Sequence, residues 1–443
     1  MDDKQYKQYL LEIYEIAQKA KGKTLRELAN KNIDKIRYFD NKDKVKHFLQ
    51  QAIFNMPLLS KVEYTFEDLQ LELKPVALKR NKYDELIVKE RLLLNDIYYD
   101  EIVNEIFKDS KCINRNQLLL IITYIYDYEK DFLDFKIHDA FIIDISRQKE
   151  FLLIVNDWIA IQEKVKKGKA EELNEGFTKI LCSSTKSQSR IDLKKQPYSN
   201  VLARFRSYSF NINFLKEIIS RHKNKVEYIN EIFEEKEIKD IVEFKHEQIE
   251  EYMTSIIGKD ISNYTQSKAN QKHQIAFEKF LKENNRDLYN FLKITNFKLI
   301  HKLTQNSNLQ EQITTNYELD PFEIMNDEFE ESTFYQDIIL KNYLVIMIEK
   351  DTNKILNFKL FNLNEQDIKN AQLVFYNTRK EIEKLIKENK LNKEEPNFVK
   401  TKDNLSISLR KSKKNEYATY KVNEKDFKLP AYEFIINKNV IFK

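Results

Sequence analysis

Glycine occurs only at Gly22, Gly168, Gly176 and Gly258 in a chain of 443 residues. A backbone that wraps a phosphate needs two or three glycines within about six residues, because only a residue without Cβ lets the main chain come so close. No such pair exists here, so P-loop ATPase and GTPase readings fall, and with them the dinucleotide-dependent dehydrogenases. His47, His138, His222, His246, His273 and His301 show neither HxH nor HExxH spacing, which gives no zinc-site pattern. The chain must therefore do its work with helices and strands that carry ordinary charged side chains.

A hydrophobic content of 42% is enough for two or three cored domains, and a formal charge of +4 means any basic face is local. No run of about 18 apolar residues occurs, and the opening "MDDKQYKQYLLEIYEIAQKA" is a charged amphipathic helix. Neither a membrane span nor a secretory signal is expected. Cys112 and Cys182 form no CxxC, so a reducing cytoplasm is the expected setting.

Helical spacing of Tyr6, Leu10, Ile13 and Ala17 predicts a helix over about 4–20. Thr24 and Glu27 form a capping box for a second helix, and Val45, Phe48, Leu49 and Ala52 mark a third that ends before Pro57. Residues 62–76 switch to period two and predict strands, followed by "ERLLLNDIYY" and "QLLLIITYIYDY". A helix over 148–166, a strand near "EGFTKIL" and a helix around Phe214–Ile219 complete a first unit, residues 1–225. A second unit, 226–443, repeats the order, with "NYLVIMIEKDTNKILNFKLFNL" read as a hairpin and "ELDPFEIMNDEFEEST" as a solvated acidic loop. The expected class is α/β (α+β): a mixed sheet flanked by helices, in two similar domains in tandem.

Within "VEYTFEDLQLELKPV", Glu72 and Lys74 share one face of a strand, as Glu63, Thr65 and Glu67 would on the strand before it. Metal-dependent nucleases need carboxylates to hold Mg2+ and a lysine to orient the attacking water and offset charge in the transition state. The same ExK pattern also decorates amphipathic strands, and by itself it does not separate the two.

"GKTLRELA", "VEYTFEDLQLELK" and "VKERLLLNDIYY", then "DWIAIQEKVKKGKAEELNEGFTKILCSSTKS" and "KKQPYSNVLARFRSYSF", follow one another in an order that resembles the MutH mismatch-repair nuclease family, including its two-domain GATC-cutting type II restriction endonucleases. The resemblance implies a restriction-endonuclease-like fold and a Mg2+-dependent endodeoxyribonuclease site of the form Asp, six residues, Glu, one residue, Lys. Glu72 and Lys74 match the last two positions, and Lys89 matches a further active-site lysine. The aspartate position holds Thr65, a helix glutamate falls at Gln50, and the glycine before it is Lys46. In the second unit Ile300 stands where a carboxylate would precede Lys302.

One carboxylate about 4 Å from a unit charge is worth roughly 4 kcal/mol at an effective dielectric of 20, about a thousandfold in rate or occupancy. Glu63, Glu67 or Asp68 would have to replace the aspartate as a metal ligand beside Glu72. DNA binding draws on other residues. "TKSQSRIDLKKQPYSNVLARFRS" offers Lys186, Arg190, Lys194, Lys195, Arg204 and Arg206 to phosphates and base edges of double-stranded DNA; family members read GATC from loops in this region. The open alternatives are a cleaving enzyme, a DNA-recognition or regulatory partner of an active nuclease in a restriction or defence system, and a structural protein. A homodimer is a further possible partner arrangement, with the second unit as a non-catalytic DNA-binding effector.

Overall fold

The computed structural model describes residues 2–29, 36, 43–57, 64–81, 84–185, 192–222, 241–264, 272–305, 313–388, 396–400, 403, 406–412, 417–422 and 425–441. The chain divides into two compact units, Met1–Ile241 and Val242–Lys443. Each has mixed α/β architecture.

The first unit opens with helices α1 (Asp3–Gln18), α2 (Leu25–Ala29) and α3 (Lys44–Phe54). Asp2 caps α1 through the Gln5 amide, and Thr24 and Glu27 exchange the reciprocal bonds of the expected capping box at α2. Strands β1 (Leu71–Arg80), β2 (Leu86–Val88) and β3 (Leu92–Ile97) follow, then short helices α4 (Tyr99–Ile102) and α5 (Lys111–Asn116). Next come β4 (Leu118–Ile125), β5 (Lys136–Asp144) and helix α6 (Phe151–Lys166). The unit closes with β6 (Leu181–Thr185), β7 (Leu193–Gln196), β8 (Ser199–Arg204), β9 (Arg206–Phe210) and α7 (Ile212–His222).

The main sheet has the order β2-β1-β4-β5, with β1 parallel to β4 and the other pairs antiparallel. Leu71, Leu73 and Ala77 of β1 pack into one core with Leu10 and Ala17 of α1 and Phe48 and Leu49 of α3. That arrangement turns the alternate residues Glu72 and Lys74 to the other face. Pro75 is tolerated because β2 pairs with β1 only from Leu78 onward, so the edge at Pro75 is open on that side. A second sheet runs β3-β9-β6, and β7 and β8 form a separate two-stranded ribbon.

The second unit also runs from helices to strands, a long helix and further strands. Strand Phe297–Thr304 lies parallel to Asn342–Glu349, which turns back antiparallel into Ile355–Asn362. The expected hairpin is present, with Asn353 in the left-handed region at its turn. Helix Glu365–Lys387 follows, as α6 follows β5. A further sheet joins Ile313–Glu318, Tyr432–Ile436 and Ile407–Lys411. Ile300 is a buried core residue.

Three expectations change. Residues 64–70 form no strand; Phe66 bridges to Leu71 around a 3-10 turn, Glu67–Leu69, closed by Gln70 in the left-handed region. The β-like alternation of Thr65 and Glu67 is thus absent, because the chain has to reverse before β1. The strand near residue 180 starts only at Leu181, since the Asp157 carboxylate takes the amides of Lys179, Ile180 and Leu181. The acidic stretch after residue 318 is not simply solvated. It forms helix Pro321–Asn326, where buried Glu323 accepts from the Tyr317 hydroxyl and from the Phe334 amide at 3.0 Å. Among the described residues no helix is long and apolar enough to cross a membrane.

Candidate functional site

The turn at 66–71 folds Thr65 back onto the second residue of β1. Glu72 is 1% exposed, and its Oε2 accepts from the Thr65 amide at 3.0 Å and the Thr65 hydroxyl at 2.9 Å. The same hydroxyl accepts from the Leu73 amide at 3.2 Å, which fixes its orientation. Residue 65 therefore does stand across from Glu72, but as a hydroxyl and not a carboxylate.

The other carboxylate oxygen, Oε1, is taken by cations. Lys46 Nζ of α3 donates to it at 2.6 Å, and Arg115 of α5 lies 3.6 Å away. Lys46 sits in the first turn of α3, where a helix dipole disfavours positive charge, so the pair with Glu72 offsets that placement. Buried Gln50 lies one turn further along the same helix face. Burial pushes the Glu72 pKa up, but Lys46, Lys74 and Arg115 outweigh it and hold the carboxyl below its ordinary value. Glu72 is an ionised, fully engaged carboxylate.

Lys74 is buried beside it. Its Nζ donates to the carbonyls of Leu93 and Leu94 on β3, at 3.2 and 3.3 Å, and so ties the two sheets together. Burial lowers its pKa to about 8, against the opposing pull of Glu72.

Lys89 is not brought to this pair. Its amide donates to Ala77, about 16 Å along β1 from Glu72 at the rise of a strand. Its ammonium sits over the Tyr126 ring, 4.8 Å from the centroid. The reason is register: β2 pairs with the far end of β1, so the residue after β2 falls there. Asp68 is exposed on the 3-10 turn, and Glu63 lies outside the described residues. Among the described residues no group of three His, Cys, Asp or Glu side chains is placed to hold a metal ion. The donor set does not fit a divalent cation. Thr65 and Gln50 stand at the positions where the family resemblance implies acids, and Lys46 already neutralises the remaining carboxylate.

The basic cluster divides. Lys194 and Lys195 on β7 and Arg204 at the end of β8 are exposed on the ribbon. Lys194 also pairs with Asp192 at 3.0 Å and lies over the Phe205 ring. The ribbon turns at Pro197-Tyr198, with Tyr198 at φ 63° and 74% exposed. Gly168 supports this turn: it has φ +66°, and a Cβ there would meet the Tyr198 carbonyl oxygen at 2.6 Å. Gln196 pins the base through the Ala170 amide and the Val201 carbonyl. Arg206 is a correction to the expected DNA contacts: it is buried, and its guanidinium donates to the Ser183 carbonyl at 3.0 Å. Lys186 and Arg190 lie outside the described residues.

Residues 54–157 match the family model described as DNA mismatch repair enzyme MutH. This segment runs from the end of α3 into α6 and contains Thr65, Glu72, Lys74 and Lys89. A type II restriction enzyme, Sau3AI of Staphylococcus aureus, is 26% identical over 324 residues, covering 67% of this chain and 65% of that enzyme's length. The mixed sheet flanked by helices is the restriction-endonuclease-like arrangement this likeness calls for, and over residues 54–157 the chain is similar to the MutH family.

Proposed function

We propose that this chain binds double-stranded DNA sequence-specifically, at a GATC-like site, through its first unit. The observation that carries the reading is the exposed β7–β8 ribbon with Lys194, Lys195 and Arg204, borne by a MutH-like unit. A two-stranded ribbon fits the major groove, where lysines neutralise phosphates and an arginine fork can pair with guanine. Lys186 and Arg190, just before the ribbon in sequence, serve base reading, and Lys194 and Lys195 serve phosphates. The second unit, with Ile300 in its core, acts as a non-catalytic DNA-binding effector.

Metal-dependent phosphodiester cleavage at Glu72 is not part of this reading, because the donor set there suits a hydrogen-bonded carboxylate and not a Mg2+ ligand. That observation favours, as the setting, a recognition or regulatory partner of an active nuclease in a restriction or defence system. The test is fluorescence anisotropy with GATC and permuted duplexes in EDTA across a salt series. Tighter binding to GATC, with affinity falling steeply between about 50 and 200 mM salt, is expected. Equal affinity for both duplexes, or a flat salt response, overturns the proposal. Cleavage of plasmid DNA by the parent chain with Mg2+ or Mn2+, abolished by Glu72→Gln, would restore the enzyme reading.

A further inference from the structure

We infer that Lys46 is a built-in cation that takes the place of a divalent metal at Glu72, so that the centre is complete without a metal and excludes one. The inference goes beyond DNA binding and concerns the Glu72 centre alone. It rests on the full use of both carboxylate oxygens. Oε2 carries two hydrogen bonds from Thr65, and Oε1 carries the Lys46 ammonium at 2.6 Å with Arg115 at 3.6 Å.

A Mg2+ ion binds carboxylate oxygen at about 2.1 Å and demands near-octahedral geometry. It could not share Oε1 with an ammonium already 2.6 Å away without strong repulsion between the two cations. Lys74 adds positive charge near Glu72 but does not occupy Oε1 in Lys46's stead, because its hydrogen bonds go to the Leu93 and Leu94 carbonyls. Nor does the turn that carries Thr65 leave an open face, since its hydroxyl is held on both sides, by Glu72 and by the Leu73 amide. Lys46 is thus a positioning residue: it holds Glu72 ionised and oriented where a metal would otherwise do so.

The decisive comparison is Thr65→Asp alone against Thr65→Asp with Lys46→Gly, each titrated with Mn2+ by calorimetry. The single variant should gain little affinity, because the ammonium remains. The double variant should bind Mn2+ at least about tenfold more tightly than the single one. Equal affinity in the two variants overturns the inference. Should a variant fail to fold, the parent chain decides: Mn2+ should leave the amide resonances of Thr65 and Leu73 sharp. Paramagnetic broadening centred on those two amides, and lost in Glu72→Gln, overturns it. DNA plays no part in either measurement, so failure here and failure of the DNA-binding proposal are separable.

Discussion

Lys46→Met removes the ammonium that neutralises Glu72 while keeping most of the apolar stem. Removing one partner of a buried ion pair costs about 3–5 kcal/mol, because a charge is left uncompensated. Here the loss is softened: Arg115 remains 3.6 Å from Oε1 and both Thr65 bonds to Oε2 survive. A cost of roughly 2–3 kcal/mol follows. For a unit of this size that lowers Tm by about 4–10 °C. Glu72→Gln in the same background removes the buried charge, so the double variant should be more stable than the sum of the single effects by about 2 kcal/mol. Trp158 is the chain's only tryptophan and lies buried in α6, so its fluorescence in a urea titration reports the first unit. A coupling below about 0.5 kcal/mol would mean that Lys46 and Glu72 are neighbours without energetic dependence, and would refute the reasoning.

Asp157 has its pKa raised from 3.8 to about 6, because burial outweighs the three amide hydrogen bonds it accepts. The folded state then holds that proton to higher pH than the unfolded chain, so its stabilising contribution is complete below about pH 4 and lost as pH rises through about 6. Relative to Asp157→Asn, the parent's unfolding free energy should fall by roughly 2 kcal/mol between pH 4 and pH 7; parallel pH profiles would refute this. Arg206→Ala should lower urea stability and leave the ratio of specific to random DNA affinity unchanged, whereas a changed ratio would restore Arg206 as a reading residue. Lys194→Ala with Lys195→Ala should weaken binding equally on GATC and permuted duplexes and reduce the log–log salt slope by about one per lysine. Glu323→Ala should destabilise the second unit by about 1–3 kcal/mol, since it strands the Phe334 amide and the Tyr317 hydroxyl; amide exchange at Phe334 would report it.

What the sequence carried clearly was local. The capping box at Thr24 and Glu27, the hairpin at Asn342–Asn362 and the shared face of Glu72 and Lys74 depend on short spacings and appear as expected. What it hid was long-range partnership. Lys46 is 26 residues from Glu72, and nothing in the periodicity of α3 marks its ammonium as the partner of a buried carboxylate. A basic residue in the first turn of a helix was the one available signal, because the dipole disfavours it there. Arg206 was grouped with Arg204 because both stand in one basic stretch of sequence, "TKSQSRIDLKKQPYSNVLARFRS". The ladder breaks at Phe205, so the two arginines belong to different sheets, one exposed and one buried. Lys89 was assigned by motif order, which fixes position along the chain but not the register of β2 against β1. Glu323 sat in an acidic window whose composition says nothing of the aromatic core around it.

The residues at 46, 50 and 65, where the resemblance implies a glycine and two acids, make sense as a set. If only the aspartate had been replaced by threonine, buried Glu72 would have one oxygen fully hydrogen-bonded and the other facing Arg115 alone at 3.6 Å, an incompletely compensated charge in a low-dielectric interior. Lys74 would add charge nearby but no hydrogen bond to Oε1, since its bonds go to β3. If only the glycine had become lysine, an ammonium would crowd the ion that the remaining acids were built to hold. Together, Thr65 satisfies Oε2, Lys46 satisfies Oε1, and buried Gln50 on the same helix face adds no charge. The result is a buried carboxylate with both oxygens partnered, which a metal-dependent site stripped of one ligand would lack. Reversing one position therefore breaks the network without rebuilding the other, and the turn at 66–71 and the sheet that position Glu72 stay in place under either chemistry.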